Sequence, residues 1–321
     1  MKKSKNLVLI VLLLVLVLTM SGCAKTSYME TPLGDGFGFW DIFVYPMAGI
    51  MWLVGKTIGF GNYALTIIFS TIIVRTIAWP IYAKSNDMQL KMKIMQPEID
   101  KLQAKYANKT DQASQQRMQM EMMQIYKKNG VGIGGCIMPF VQMPIFLGFY
   151  YALRKLPASM AVEGHWLNIF NNTKLFGIYL TLTRTAGEVN EADLATLYPD
   201  FSAKAQNWGV IILAILVGLT QVVSIIISEI RQKKVTNEQQ AGVPEYRRAK
   251  SQNPNAKSTG MAMKVMLYFF AVMMVIFVLQ SPAALGLYWV IGNIYSTGQT
   301  AIGQVTSKRR LEKLKQKSRG Y

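Results

Sequence analysis

The stretch Leu65-Thr66-Ile67-Ile68-Phe69-Ser70-Thr71-Ile72-Ile73-Val74-Arg75-Thr76-Ile77-Ala78-Trp79-Pro80 is apolar enough to enter a bilayer, yet it carries a full positive charge. Arg75 stands nine residues before Lys84, so roughly 13 Å from the inner end of a helix rising about 1.5 Å per residue. Arginine at that depth costs between ~3 and ~15 kcal/mol, depending on the scale. A carboxylate in a neighbouring span would ordinarily offset this, but of 17 acidic residues only Glu229 touches another apolar stretch, at its end. Three readings follow. Arg75 snorkels to the inner interface, is satisfied by backbone carbonyls, or lines a watery cavity that receives an acidic partner from outside the chain.

Working outward, the chain supports an all-α polytopic membrane protein. Its 321 residues are 51% hydrophobic and 16% charged, against about 25% charged in soluble domains. Apolar, charge-poor segments predict five transmembrane helices, at 62–83, 132–155, 207–229, 265–281 and 285–306. Each approaches the roughly 20 residues a span requires. Ser281-Pro282 breaks the chain between the last two, which predicts a tight helical hairpin. Segment 23–61 contains an apolar run holding Asp41 and Pro46, read as an outer interfacial helix rather than a sixth span.

The first 22 residues read as a signal peptide, with Lys2, Lys3 and Lys5 before the apolar run Leu7–Leu18. Met20-Ser21-Gly22-Cys23 resembles a bacterial lipobox, which predicts a lipoprotein whose Cys23 carries the lipid (the palmitate-type anchor) on the outer face. Lys and Arg orient the rest. Segments 84–132, 230–264 and 308–319 hold 24 of the 35 basic residues, while 24–61 and 157–206 hold two and three. The termini are therefore read as N-out and C-in, with Arg154 and Lys155 running against the trend.

Other polar residues at membrane depth sharpen the reading of Arg75. They are Gln142 in the second span, Thr220, Gln221 and Ser224 in the third, and Trp289, Asn293, Ser296 and Thr300 in the fifth. The last four fall at i, i+4, i+7 and i+11, one helical face. Polar groups facing lipid are unfavourable, so a polar interior sharing Arg75 is the stronger inference. The competing role for each is an interhelical hydrogen bond, worth only about 0.6 kcal/mol.

Between the first two spans, segment 84–131 predicts a cytosolic helical hairpin. Met88, Met92, Met95, Ile99, Leu102 and Tyr106 form a heptad seam that Met118, Met122 and Ile125 continue after a turn at 108–114. The seam zips the two helices together, and its methionines also suit a surface for varied apolar segments. The cytosolic loop 230–264 carries no assignable residue, and in the outer loop 156–206 the Asn171-Asn172-Thr173 sequon is set aside because a lipobox implies a bacterium. The tail 307–321, basic from Lys308 to Arg319, suits ribosomal RNA or anionic lipid.

Several chemistries are excluded. One histidine, His165, and two cysteines, Cys23 and Cys136, leave no metal site or disulfide framework. The run from Gly49 to Thr57 spaces its glycines by five residues, where a phosphate loop needs four. No catalytic set, metal or cofactor is predicted.

Three motifs in register resemble the YidC/Oxa family of membrane protein insertases, in its Gram-positive lipoprotein form. They are Thr71–Arg75, Met138–Phe146 and Ser281–Trp289 leading into Asn293, within a likeness running from about residue 36 to 306. The resemblance implies five helices around a hydrophilic groove in the bacterial cell membrane, open to cytosol and lipid. It implies a groove arginine at Arg75 with Gln142 and Trp289 beside it, to which the polar pattern adds Asn293, Gln221 and Ser224. It further implies a chaperone and insertase, not an enzyme, for nascent membrane proteins, working alone or with the Sec translocon; ribosome contact rests on the basic tail alone. A passive helix-assembly scaffold and an anion transporter are the competing functions; the transporter predicts an internal repeat that the sequence lacks.

Overall fold

The computed structural model of the chain describes residues 32–34, 40–106, 109, 111–128, 134–184, 200–241 and 254–319. Within these helices, several side chains, including those of 134–143, 254–263 and 307–319, lie outside that description. The signal segment and Cys23 lie outside it as well.

The chain is mostly helical: α1 (Asp41–Lys56), α2 (Tyr63–Ile77), α3 (Trp79–Tyr106), α4 (Gln112–Lys128), α5 (Gly134–Ala161), α6 (Ala203–Ala241), α7 (Pro254–Leu279) and α8 (Ala283–Arg319). One antiparallel strand pair, β1 (Lys174–Leu175) and β2 (Ile178–Tyr179), interrupts the α5–α6 connection. Among the described residues, Ala203–Arg231 within α6 is the one segment long and apolar enough to cross a membrane alone. Tyr63–Ile77 and Lys264–Leu279 are apolar but shorter.

Helix ends explain where the observed elements depart from the spans read in the sequence. Asn62 caps α2, its Oδ1 accepting from the Leu65 amide at 3.1 Å, which satisfies one orphan donor of the first turn. The stretch 62–83 is not one helix: α2 stops at Ile77, Ala78 turns, and α3 begins at Trp79. Pro80 has no amide to continue the ladder, and it suits the first turn of a new helix instead. At the other end of the chain, Ser281-Pro282 breaks α7 from α8. The amides of Ala283 and Ala284 bond the carbonyls of Leu182 and Leu180 at 3.0 and 2.8 Å. The α5–α6 connection thereby supplies the acceptors that the first turn of α8 lacks.

Gln206 ties the same connection to α6. Its Oε1 accepts from the Tyr179 amide at 2.8 Å, while Nε2 donates to the carbonyls of Tyr179 and Leu182 at 3.0 and 3.2 Å. A second stitch joins the α1–α2 turn to the chain before β1, through Tyr63 N to Asn172 O at 2.9 Å and Asn171 N to Gly61 O at 3.0 Å.

The main core joins α1, α2, α5 and the start of α8 around Val44, Met51, Ile67, Phe149, Leu153 and Tyr288. At Gly148 the α1 backbone approaches so closely that a Cβ would stand 2.7 Å from the Phe43 carbonyl oxygen. Aromatic contacts link α5 to α7, with Phe146 and Tyr150 at 6.1 and 5.4 Å from Phe277. The outward faces of α6 and α7 are apolar, with Ile212, Ile215, Leu219, Val223, Val265, Val272 and Ile276 all about half exposed or more. A contiguous apolar surface of that kind marks contact with lipid or protein.

The α3–α4 hairpin packs its own small core. Met95 and Ile99 are buried against Met88, Met122, Ile125 and Tyr126, the seam that the heptad spacing predicts. Asp111 caps α4, its Oδ2 accepting from the Ser114 amide at 2.9 Å, which lowers its carboxyl pKa through the side-chain and backbone bonds of Ser114. Lys105 and Tyr106 both donate to Glu121 Oε1 at 2.8 Å. Those bonds, with the Lys105 charge, hold the Glu121 carboxyl below the usual range.

Candidate functional site

Arg75 occupies the last turn of α2, and its side chain is 9% exposed. It crosses to α8 at Gly292, where a built Cβ would lie 2.7 Å from Nη2 and 3.3 Å from both Cζ and Nε. The near-equal distances mean that the guanidinium lies broadside against the α8 backbone, in space that only glycine leaves. One turn earlier on α8, the Tyr288 hydroxyl lies within reach of the Arg75 charge. Tyr288 is itself held by stacking on Phe149 at 4.7 Å. One turn later, the Tyr295 hydroxyl bonds Thr76 Oγ1 at 2.7 Å, and its ring meets Trp79 edge-on at 6.3 Å. Tyr82 on α3 also lies within reach of the Arg75 charge.

Tyr288, Gly292, Tyr295 and Gln299 are thus one stripe of α8, at i, i+4, i+7 and i+11. Gln299 is 4% exposed, and its Nε2 has no acceptor among the described residues. None of the ion pairs among the described residues includes Arg75.

The sequence groups Trp289, Asn293, Ser296 and Thr300 with Arg75, and the structure places the Asn293 side of α8 differently. Asn293 Nδ2 donates to Thr220 Oγ1 at 3.1 Å, and Ser224 Oγ shares a hydrogen bond with Thr297 Oγ1. Those bonds stitch α8 to α6. One residue of offset is 100° of helical turn, so Asn293 and Gly292 serve different neighbours. Ser296 Oγ bonds back to the Asn293 carbonyl at 3.2 Å, and Gln221 and Thr300 are half-buried. Trp289 packs against Phe146 with centroids 5.4 Å apart, and its buried indole Nε1 has no acceptor among the described residues. Gln142 lies on α5, with its side chain outside the described residues. Gln299 Nε2 and Trp289 Nε1 are thus unmatched buried donors on different faces of α8, and Arg75 has no carboxylate partner among the described residues.

Asp41, in the segment read as an interfacial helix, meets a partner distant in sequence. It is buried against α5, 4.0 Å from Lys155 Nζ, with both side chains 1% exposed. The pair also explains why Lys155 runs against the loop trend. Desolvation is offset by pairing, and pairing across 114 residues leaves no local sequence signal. Gly292 and Tyr288 were legible in principle, because they lie at the helical spacing of Tyr295 and face the one charge in need of partners.

Comparison with known proteins gives the family. The family model described as 60Kd inner membrane protein matches residues 53–310. The chain is 31% identical over 297 residues to membrane protein insertase YidC 2 of Bacillus anthracis, covering 92% of each. It is 30% identical over 302 residues to membrane protein insertase YidC of Oceanobacillus iheyensis, covering 93% of this chain and 96% of the relative. It is also 30% identical over 283 residues to membrane protein insertase MisCA of Bacillus subtilis, covering 88% and 84%. The chain therefore belongs to the 60Kd inner membrane protein family, the YidC membrane protein insertases of the bacterial cell membrane.

Proposed function

We propose that Arg75 is a transient electrostatic catch for acidic residues in the leading tail of a client membrane protein. The observation that carries this is a buried guanidinium, seated on Gly292, with no carboxylate partner among the described residues. Five spans, formed by α2 and the start of α3, α5, α6, α7 and α8, surround the site, with the α3–α4 hairpin in the cytosol. Residues 23–61 lie outside, anchored by lipid at Cys23. A client tail enters the polar interior from the cytosol, where low dielectric strengthens attraction to Arg75. Burial of the client helix in lipid, about 0.8 kcal/mol per methylene, then draws it away and frees the tail outward. The membrane potential, positive outside, assists by up to ~2.3 kcal/mol per negative charge per 100 mV.

Gln142, Trp289, Asn293, Gln221 and Ser224 are the remaining groove positions in this reading. The basic end of α8 meets the ribosome or anionic lipid, and the Sec translocon is a partner for some clients. The second reading, a passive scaffold for helix assembly, draws support from the Asn293–Thr220 and Ser224–Thr297 bonds, which look structural. Depletion of the host's own insertase, with rescue by Arg75→Lys, Arg75→Ala and Arg75→Glu at equal abundance, separates the two. The catch requires rescue by lysine alone, most clearly for a client with an acidic tail. Full rescue by alanine leaves the scaffold.

A further inference from the structure

A second arginine lies away from the Arg75 site, at the end of α6 and α7 nearest the α5–α6 connection. Arg184 opens onto a cavity of about 280 Å³ lined otherwise by Ile211, Ile276, Leu279 and Gln280. Its Nη1 donates to Asn207 Oδ1 at 3.3 Å, which fixes the direction of the guanidinium. None of the ion pairs among the described residues includes it. On the same two helices, Ile212 and Ile215 of α6 and Val272 of α7 are exposed apolar side chains.

We infer that this cavity holds the headgroup phosphate of an anionic glycerophospholipid, with the acyl chains along the α6–α7 seam. The guanidinium offers a planar fork that matches phosphate oxygens, and Gln280 lines the same cavity. A soluble anion would use the charge but leave Ile211, Ile276 and Leu279 uncovered. A phospholipid covers both. Reading α6 and α7 as spans places the site at the outer leaflet, so this inference rests on the proposed topology but not on client insertion.

The test is native mass spectrometry of the full chain in detergent, titrated separately with phosphatidylglycerol and phosphatidylcholine. One phosphatidylglycerol should be retained in preference to phosphatidylcholine. Arg184→Gln should lower that retention by about tenfold, the scale of one charge-assisted contact. Ile276→Trp, on a side chain 47% exposed, should lower it by filling the cavity without disturbing the core. Arg75→Ala should retain the lipid fully, so failure of the insertion reading leaves this result standing. Equal retention by wild type and Arg184→Gln overturns the inference. Complete displacement of the lipid by millimolar inorganic phosphate also overturns it, because it marks a simple anion site.

Discussion

Gly292→Ala separates the position of the Arg75 charge from its presence. The added Cβ would stand 2.7 Å from Nη2, where ordinary contact needs about 3.5 Å. The guanidinium is the far end of a flexible side chain, so it yields by somewhat under an ångström and the helices stay in place. Lengthening its approach to a client carboxylate from about 4 to about 4.7 Å loses roughly 0.6 kcal/mol at an effective dielectric of about 20. That is close to a threefold fall in occupancy. Gly292→Leu displaces it further and should approach the defect of Arg75→Ala. The assay is protease protection of an acidic-tailed client during insertion into vesicles, with the variant's abundance and thermal midpoint measured alongside. Normal insertion by Gly292→Leu at wild-type abundance, in a background where Arg75→Ala fails, would refute the claim that Arg75 must sit against α8.

Three further outcomes follow from the packing. Asp41→Ala should destabilise the α1–α5 contact by about 3–5 kcal/mol, because it removes the carboxylate facing the buried Lys155 charge, and adding Lys155→Met should recover much of the loss; thermal unfolding in detergent reads both. Gln206→Leu removes the side chain that bonds the backbone of Tyr179 and Leu182, costing about 1–3 kcal/mol for each orphaned buried group, and should raise protease cleavage between residues 174 and 183. In the α3–α4 hairpin, Glu121 titrates below its ordinary value when folded. Its support is therefore full above the unfolded carboxylate pKa and is lost as pH falls through the lower, folded one. Hydrogen exchange across 99–125 should speed up over that acid window, and Glu121→Gln should remove the Glu121 share of the pH dependence while leaving that of the Asp111 cap.

Local patterns made most of the architecture legible. The heptad from Met88 to Tyr106 places Met95 and Ile99 inward, where the structure buries them against Met122 and Ile125. Apolar runs mark the helices, and Ser281-Pro282 marks the break before α8. Boundaries were less legible, because Pro80 restarts a helix inside an apolar run that hydropathy alone reads as continuous. At the candidate site, Arg75 announces itself as a charge among Ile and Val. The partners across α8 do not. Periodicity assigns a face to Asn293 but not the neighbour that face meets, and the structure gives it to Thr220. Asp41 and Lys155 lie beyond any local pattern.

The final helix has a mechanical consequence. α8 runs unbroken for 37 residues, about 55 Å at 1.5 Å per residue, against a hydrocarbon core near 30 Å. Its basic end is thus a stiff rod continuous with the segment that carries Gly292, rather than a tether. A ribosome or lipid surface gripping that end would hold a lever about 40 Å long whose short arm rests on Arg75. A tilt of a few degrees, several ångströms at the far end, would shift the Gly292 backbone by a fraction of an ångström. That is the displacement scale at which the guanidinium's seat tightens or opens, so under the proposed role of Arg75 a grip on the far end sets the catch before any client arrives.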